Sequence, residues 1–372
     1  MSALNTFLRG IRVLDLSQNL PGPIASLFLS DMGASVLKIE PPGGDDARRF
    51  GTVAGEGSSA IHQAVNAGKH ICRLDLKSDG GRREMLQLVE NADVLIEGYR
   101  PGVMRRLGLE YSFIRQRNPS IIYCSISGYG QHRENPAGHD ANYLAEAGVL
   151  ARNGFYGPSM FDPPVADCGG AMFAMTAILG ALVSRAKTGE GCHLDLALAD
   201  SVHPLQIGAI AEFSATGQEP TVSGSLAGGA LARNRIYKTA HGFDVVLCAI
   251  EPKFWQRFCD VAARPEWVDR MSDALPQTDL SAEVSEFFLG LQEVELARLI
   301  DDPDLCLSRI NTLTEAMQRA LASGRGLVVE KRGVLQPLFP VLIDGQRPAA
   351  RQGVVELPPN VGVNWEILVS KR

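Results

Sequence analysis

The sequence predicts an α/β protein: an open, mostly parallel sheet covered on both faces by helices, with a smaller α+β unit after it. Three observations carry this. Short apolar runs at Ile11–Leu16, Val36–Glu40, Ile71–Leu76, Ala92–Glu97 and Ile121–Ile126 have strand length and alternate with helix-compatible stretches. Clusters of Gly and Pro separate them. A chain of 372 residues is long enough for a sizeable core and a second domain.

Taken in order, Ile11 to Leu16 reads as a buried strand, Pro21-Gly22-Pro23 as the turn after it, and Ile24 to Met32 as a short helix. Val36 to Glu40 is a second strand, stopped by Pro41-Pro42, with Lys38 as decoration near its end. The crossover in this β-α-β unit implies parallel strands. The stretch from Gly43 to Gly68 reads as polar loop and irregular backbone. A third strand, Ile71 to Leu76, precedes a helix opened by Asp79, with Met85, Leu88 and Val89 on one face. A fourth strand, Ala92 to Glu97, enters the Gly98–Gly102 turn and a helix from Val103. The fifth, Ile121 to Ile126, leads into a loop made irregular by Gly128, Gly130, Pro136 and Gly138, and helix-compatible residues run from Leu144 to Leu150. Val165 to Gly170 then precedes a long helix, Ala171 to Arg185; His193 to Leu198 is a strand; Ser201 to Thr216 is helical. Ser223 to Gly229 reads as a boundary, followed by a hairpin around Ala240-His241-Gly242 and by helices at Pro252–Ala262, Ala282–Leu289 and Leu313–Ala322. No element is assigned beyond Val334.

Composition narrows the function classes. A formal net charge of −6 gives no general attraction to nucleic acid or membrane, so a phosphorylated ligand would need local basic residues. Seven scattered Cys without a CxxC pair argue against a disulfide framework or a zinc site, and no metal is expected. The N-terminal residues show no signal pattern and the apolar runs are interrupted, so a cytoplasmic protein without a membrane span is expected. Glu40 falls at the distance of a ribose-binding acid, but the first turn lacks G-x-G-x-x-G. Pro21 and Pro23 there also remove two N–H donors, which argues against a dinucleotide site.

The chemistry is placed in the loop from Ser127 to Tyr143. His139 lies in a strand-to-helix loop, where a side chain can face a cleft from a rigid base. Asp167, just before Cys168-Gly169-Gly170, meets the positive end of a helix. Glu251 precedes Pro252 at another helix start. Each has a plainer reading as a helix cap or first-turn acid.

Four motifs in register tip the balance: Pro21-Gly22-Pro23, Glu97-Gly98-Tyr99-Arg100-Pro101-Gly102, Gly138-His139-Asp140-Ala141-Asn142-Tyr143 and Ala249-Ile250-Glu251-Pro252. From about Leu8 to Glu330 the chain resembles the CaiB/BaiF (class III) CoA-transferase family, most closely its α-methylacyl-CoA racemases. The resemblance implies a Rossmann-like large domain (1–200, completed by 325–372), linker helices (201–224) and a small domain (225–324), in an interlocked homodimer. It implies an acyl-CoA substrate, with CoA as part of the substrate and no catalytic cofactor. By resemblance, His139 and Asp167 exchange the α-proton on opposite faces of an enolate, and Glu251 partners His139 across the dimer. Gly169 and Gly170 offer N–H groups to the thioester oxygen. Arg100 and Arg106 match residues near the CoA phosphates. Leu74, Asp75, Leu76 and Lys77 match the segment holding the adenine end, and Gly138, Asn142 and Tyr143 the loop along the pantetheine. The favoured activity is 2-methylacyl-CoA racemisation. The alternative is CoA transfer to a carboxylic acid through an aspartyl anhydride at Asp167, and a non-catalytic CoA-binding homologue is a third reading. Pro41 stands where the racemases carry Arg, and the stretch from Pro41 to Lys77 is more like the transferases.

Overall fold

Runs of Val, Ile and Leu build the central strands, as their burial on both faces of a parallel sheet requires. In the computed structural model the described residues are 3–53, 58–132, 136–153, 157–219, 228–358 and 365–366. β1 (Arg12–Leu16), β2 (Ser35–Glu40), β3 (His70–Arg73), β4 (Val94–Glu97), β5 (Ile122–Ser127) and β6 (Cys192–Ala197) pair in parallel in the order β3-β2-β1-β4-β5-β6. The order reverses between β1 and β4, and the crevice beyond the carboxyl ends of two such strands is where ligands enter open α/β sheets.

The crossovers carry α1 (Pro21–Asp31), α2 (Ala60–Val65), α3 (Asp79–Val89), α4 (Val103–Arg106) and α5 (Tyr111–Arg117). α6 (Asp140–Glu146) and α7 (Val165–Thr188) lie between β5 and β6, and α8 (Leu198–Leu205) follows β6 directly. One face of the sheet buries Leu14, Leu37 and Leu95 with Met85, Leu88 and Ile114. α7 packs against α1, α6, α8, β5 and β6.

The second unit contains α9 (Ile207–Thr216), the antiparallel strands β7 (Asn234–Lys238), β8 (Asp244–Cys248) and β9 (Leu307–Arg309), then α10 (Pro252–Val261), α11 (Thr278–Gly290) and α12 (Glu293–Asp301). Its core is aromatic: Trp255, Phe258, Trp267 and Phe288 are buried together. α13 (Leu313–Ala322) leads out of it. The chain then forms a β10–β11 hairpin (Val328–Lys331, Val334–Pro337), and β12 (Val355–Glu356) joins the large sheet beside β3. By packing, the first unit comprises residues 1–147, 161–205 and 320–372, and the second 148–160 and 206–319.

Several elements depart from the sequence reading. Pro21-Gly22-Pro23 is the first turn of α1 rather than a turn before it, because proline suits N1, where no N–H is needed. α7 begins at Val165, so Asp167, Gly169 and Gly170 are helical. α6 begins at Asp140, four residues before the expected Leu144. The segment 201–216 is two helices, α8 with Pro204 inside its last turn and α9 after it. α2, α5 and α12 were not anticipated. α7 is long and apolar enough to cross a membrane, contrary to the expectation of interrupted runs, but one of its faces, with Ala171, Ala174 and Ile178, is fully buried in the first unit. Most of the boundary stretch read at 223–229 lies outside the described residues.

Candidate active site

A cavity of about 380 Å³ opens at the β1–β4 switch point. Its walls come from the turn after β1 (Ser17, Gln18, Asn19), the turn after β4 (Gly98, Tyr99, Arg100), the end of β5 with Gly128, and the loop into α6 ending at His139. Tyr143 and Asp167 also face it. Two glycines make room for the Tyr143 ring: a Cβ on Gly128 would lie 2.8 Å from Tyr143 Cε1, and one on Gly138 2.9 Å. The Tyr143 hydroxyl donates to the Gly138 carbonyl (2.7 Å), and its ring meets Tyr129 edge-on at 5.3 Å. Gly128 and Gly138 thus both pack against one aromatic side chain.

His139 is the N-cap position of α6 and is exposed; its N–H donates to Asn142 Oδ1 (3.0 Å). Asp167 is the third residue of α7 and partly buried. The first N–H groups of a helix have no intrahelical acceptor. At α7 those of Ala166 and Asp167 donate to Asp140 Oδ1, at 2.7 and 3.0 Å. Burial, and then the nearby Asp140 carboxylate, push the Asp167 carboxyl up to about 7. Burial and Asp167 likewise push the Tyr143 phenol up to about 12.

The structure brings His139, Asp167, Arg100, Gly138 and Tyr143 to one cavity. Asn142 acts behind it, on the His139 backbone. Gly169 and Gly170, expected to offer donors to the thioester oxygen, are not in the cavity lining. Both lie inside α7, where an N–H points back to the carbonyl one turn earlier. Their lack of a side chain serves packing instead: a Cβ on Gly170 would lie 2.4 Å from Leu198 Cδ2, and one on Gly169 2.8 Å from Leu205 Cδ1. Leu74 and Leu76 are buried at the end of β3, and the Lys77 N–H donates to Asp75 Oδ1 (3.0 Å); none of the four lines the cavity. Arg106 is exposed on α4, also outside the lining. Glu251 is exposed in the second unit, its carbonyl accepting from Phe254 and Trp255 at the start of α10.

Sequence reasoning missed the β1 turn and Asp140. Asn19 has a positive φ of 62°, and its buried Oδ1 has no hydrogen-bond donor among the described residues. It missed most plainly the ion network below that turn. Lys38 is no surface decoration: it is fully buried, 2.9 Å from Asp45 Oδ2 and donating to the Ser17 carbonyl (2.7 Å). Lys69 Nζ reaches Asp15 Oδ2 (3.1 Å), Asn66 Oδ1 (2.8 Å) and the Pro23 carbonyl (2.9 Å). Glu40 holds Arg48 (2.7 Å) and His62 (2.8 Å). Against the burial that opposes it, Lys69 and Lys38 hold the Asp15 carboxyl far below its usual range. The His62 and Arg48 hydrogen bonds bring Glu40 down to about 2, also against burial. Among the described residues, Glu40, Asp45 and His62 place potential metal-ligand atoms within 4.8 Å of one another. Those carboxylates are already engaged by Lys38 and Arg48.

Comparison with known proteins fits this architecture. A family model described as CoA-transferase family III matches residues 8–361. The chain is 32% identical to acetyl-CoA:oxalate CoA-transferase of Acetobacter aceti, over 94% of this chain and 92% of that protein. It is 33% identical to succinyl-CoA:mesaconate CoA-transferase of Haloarcula marismortui, over 78% and 77%. Human alpha-methylacyl-CoA racemase matches at 29%, over 91% and 87%, below the identity of these two transferases, so the similarity backs the transferase alternative better than the racemase expectation. The crystal structure of a CAIB/BAIF family protein from Brucella suis superposes with a TM-score of 0.82 at 25% identity, covering 99% of both chains.

Proposed function

As the chain belongs to CoA-transferase family III, we propose that it moves CoA from an acyl-CoA thioester to a free carboxylic acid, with Asp167 as nucleophile. The observation that carries this reading is a partly buried carboxylate at the wall of a cavity on the sheet's switch point. The Asp167 carboxylate attacks the thioester carbonyl, the C–S bond breaks, and CoA leaves as thiolate, giving an aspartyl–acyl anhydride. The thiolate then attacks the aspartyl carbonyl, releasing the first acid as carboxylate and leaving an aspartyl–CoA thioester. The acceptor carboxylate runs these two steps in reverse, takes CoA and restores Asp167. Ser17, Gln18, Asn19 and Arg100 make the lining polar, which supports short, polar acids over long acyl chains. The oxalate and mesaconate transferases among the relatives support the same class.

In this reading Arg100 and Arg106 meet the CoA phosphates, Leu74 to Lys77 the adenine end, and the working unit is an interlocked homodimer. The exposed apolar side chains of α9, Ile207, Ile210 and Phe213, support an association surface. The dimer would bring Glu251 of one subunit toward the other's cavity.

One observation favours a second reading: His139 and Asp167 line the same cavity, as α-proton exchange requires. A single experiment separates the two. Purified protein is given acetyl-CoA or succinyl-CoA with oxalate, mesaconate or glutarate, and CoA esters are followed by chromatography. In parallel, (2S)-2-methylacyl-CoA in D₂O is followed by NMR. Transfer only with acceptor, lost on the order of 10³-fold or more in Asp167→Asn, supports the transferase. Acceptor-independent loss of the α-proton signal with appearance of the 2R ester makes it a racemase.

A further inference from the structure

We infer that Asp140 is a positioning residue for the reactive carboxylate: its side chain caps α7 and so sets where Asp167 stands and which charge faces it. The inference rests on the reading of Asp167 as the reacting group. Asp140 and Asp167 are 27 residues apart, yet one oxygen of Asp140 accepts the N–H of Ala166 (2.7 Å) and of Asp167 itself (3.0 Å). The backbone bearing the nucleophile is therefore tied to the start of α6, next to His139. A shift in either helix start moves both cavity side chains together. The capping acid is also a like charge beside the Asp167 carboxylate. In most helices one acid serves the N-terminus; here two share it, and the amides go to Asp140. Asp167 then lacks those donors, and the neighbour's charge opposes its ionisation, in the same direction as burial does.

Among the described residues, Asp46, Tyr99, Arg100, His139 and Tyr143 share the cavity with Asp167, Cys168 follows it in the chain, and the packed α6 and β5 add Glu146, Tyr123 and Cys124. Of the elements packed on α7, α1 carries only Asp31, at its far end, and α8 carries Asp200 and His203, both exposed. On β6, His193 and Asp195 alternate with Leu196, whose side chain is the one that approaches Gly170 on α7.

Two variants separate the cap from the charge. Asp140→Asn keeps an oxygen acceptor and removes the charge; Asp140→Ala removes both. The ¹³C carboxyl resonance of Asp167, assigned by its absence in Asp167→Asn, is titrated in the parent and in Asp140→Asn. Its midpoint is expected to fall by about half a unit or more in Asp140→Asn, and the acid limb of kcat to move with it. In Asp140→Ala kcat is expected to fall on the order of ten- to a hundred-fold with little change in KM. An Asp167 midpoint that does not move in Asp140→Asn overturns the inference, whether or not Asp140→Ala folds. If instead Asp167→Asn retains full turnover while the midpoint moves, the nucleophile reading falls and the hold of Asp140 on Asp167 stands.

Discussion

Two groups of carboxylates sit at the carboxyl edge of the same sheet, and they are treated in opposite ways. At the ends of β1 and β2, Asp15 and Glu40 are buried, but Lys69, Lys38, Arg48 and His62 surround them and keep both ionised. At the start of α7, Asp167 is partly buried beside another acid, with no hydrogen bond to its own carboxylate among the described residues, and its proton is retained to about pH 7. The first arrangement shapes the floor of the β1 turn. The second leaves a carboxylate under-solvated and more reactive once it ionises. Compensation fits a scaffold role for the first pair, and its absence fits the reacting role proposed for Asp167.

Breaking the compensated cluster has the largest expected effect. Lys69→Met leaves Asp15 buried without its nearest cation and is expected to cost about 3–5 kcal/mol, read by urea unfolding at pH 7. Asp167→Asn acts in the opposite direction. A carboxyl raised above its unfolded value carries no penalty below the unfolded pKa of about 4, and a growing one as pH rises to about 7. The variant is therefore expected to equal the parent in stability at pH 4 and to exceed it at pH 8 by about 2 kcal/mol, roughly half of the full linkage because Asp167 is only partly buried. Equal stability at both pH values would place Asp167 in a well-solvated setting and end the contrast. For Asp15 and Glu40 the sign is reversed: their contribution is present above about pH 4 and is lost as pH falls toward 2, so acid unfolding should begin in that window.

Smaller changes sharpen the picture. Gly170→Ala pushes a methyl into Leu198 and is expected to cost about 1–2 kcal/mol in thermal unfolding, and less when made in a Leu198→Ala background. If Gly170→Ala costs as much in that background as in the parent, close packing is not why glycine stands there. Glu356→Gln removes only the half-exposed partner of Arg48, which keeps Glu40, and should change stability by less than about 1 kcal/mol.

The strands were the most legible part of the fold. Val13, Leu14, Val36, Leu37, Leu95 and Ile96 are apolar because both faces of a parallel sheet are covered, and that pattern is visible in a short window. Helix starts were less legible. Pro21-Gly22-Pro23 read locally as a turn and Gly169-Gly170 as residues just before a helix, yet both stretches are helical. The candidate site was legible as isolated residues, His139 and Asp167, and chiefly through resemblance.

Local composition and order thus specified a parallel α/β sheet, the turn after its fourth strand, and two polar side chains near helix starts. These properties depend on residues within one or two turns of one another. Tertiary packing decided that Lys38 is an interior ion, that Gly170 is a contact with α8, and that Asp140 caps a helix 26 residues away rather than its own. Such roles depend on burial and on long-range partners. A carboxylate's ionisation is set by the charges that folding brings near it, and no window of sequence contains them.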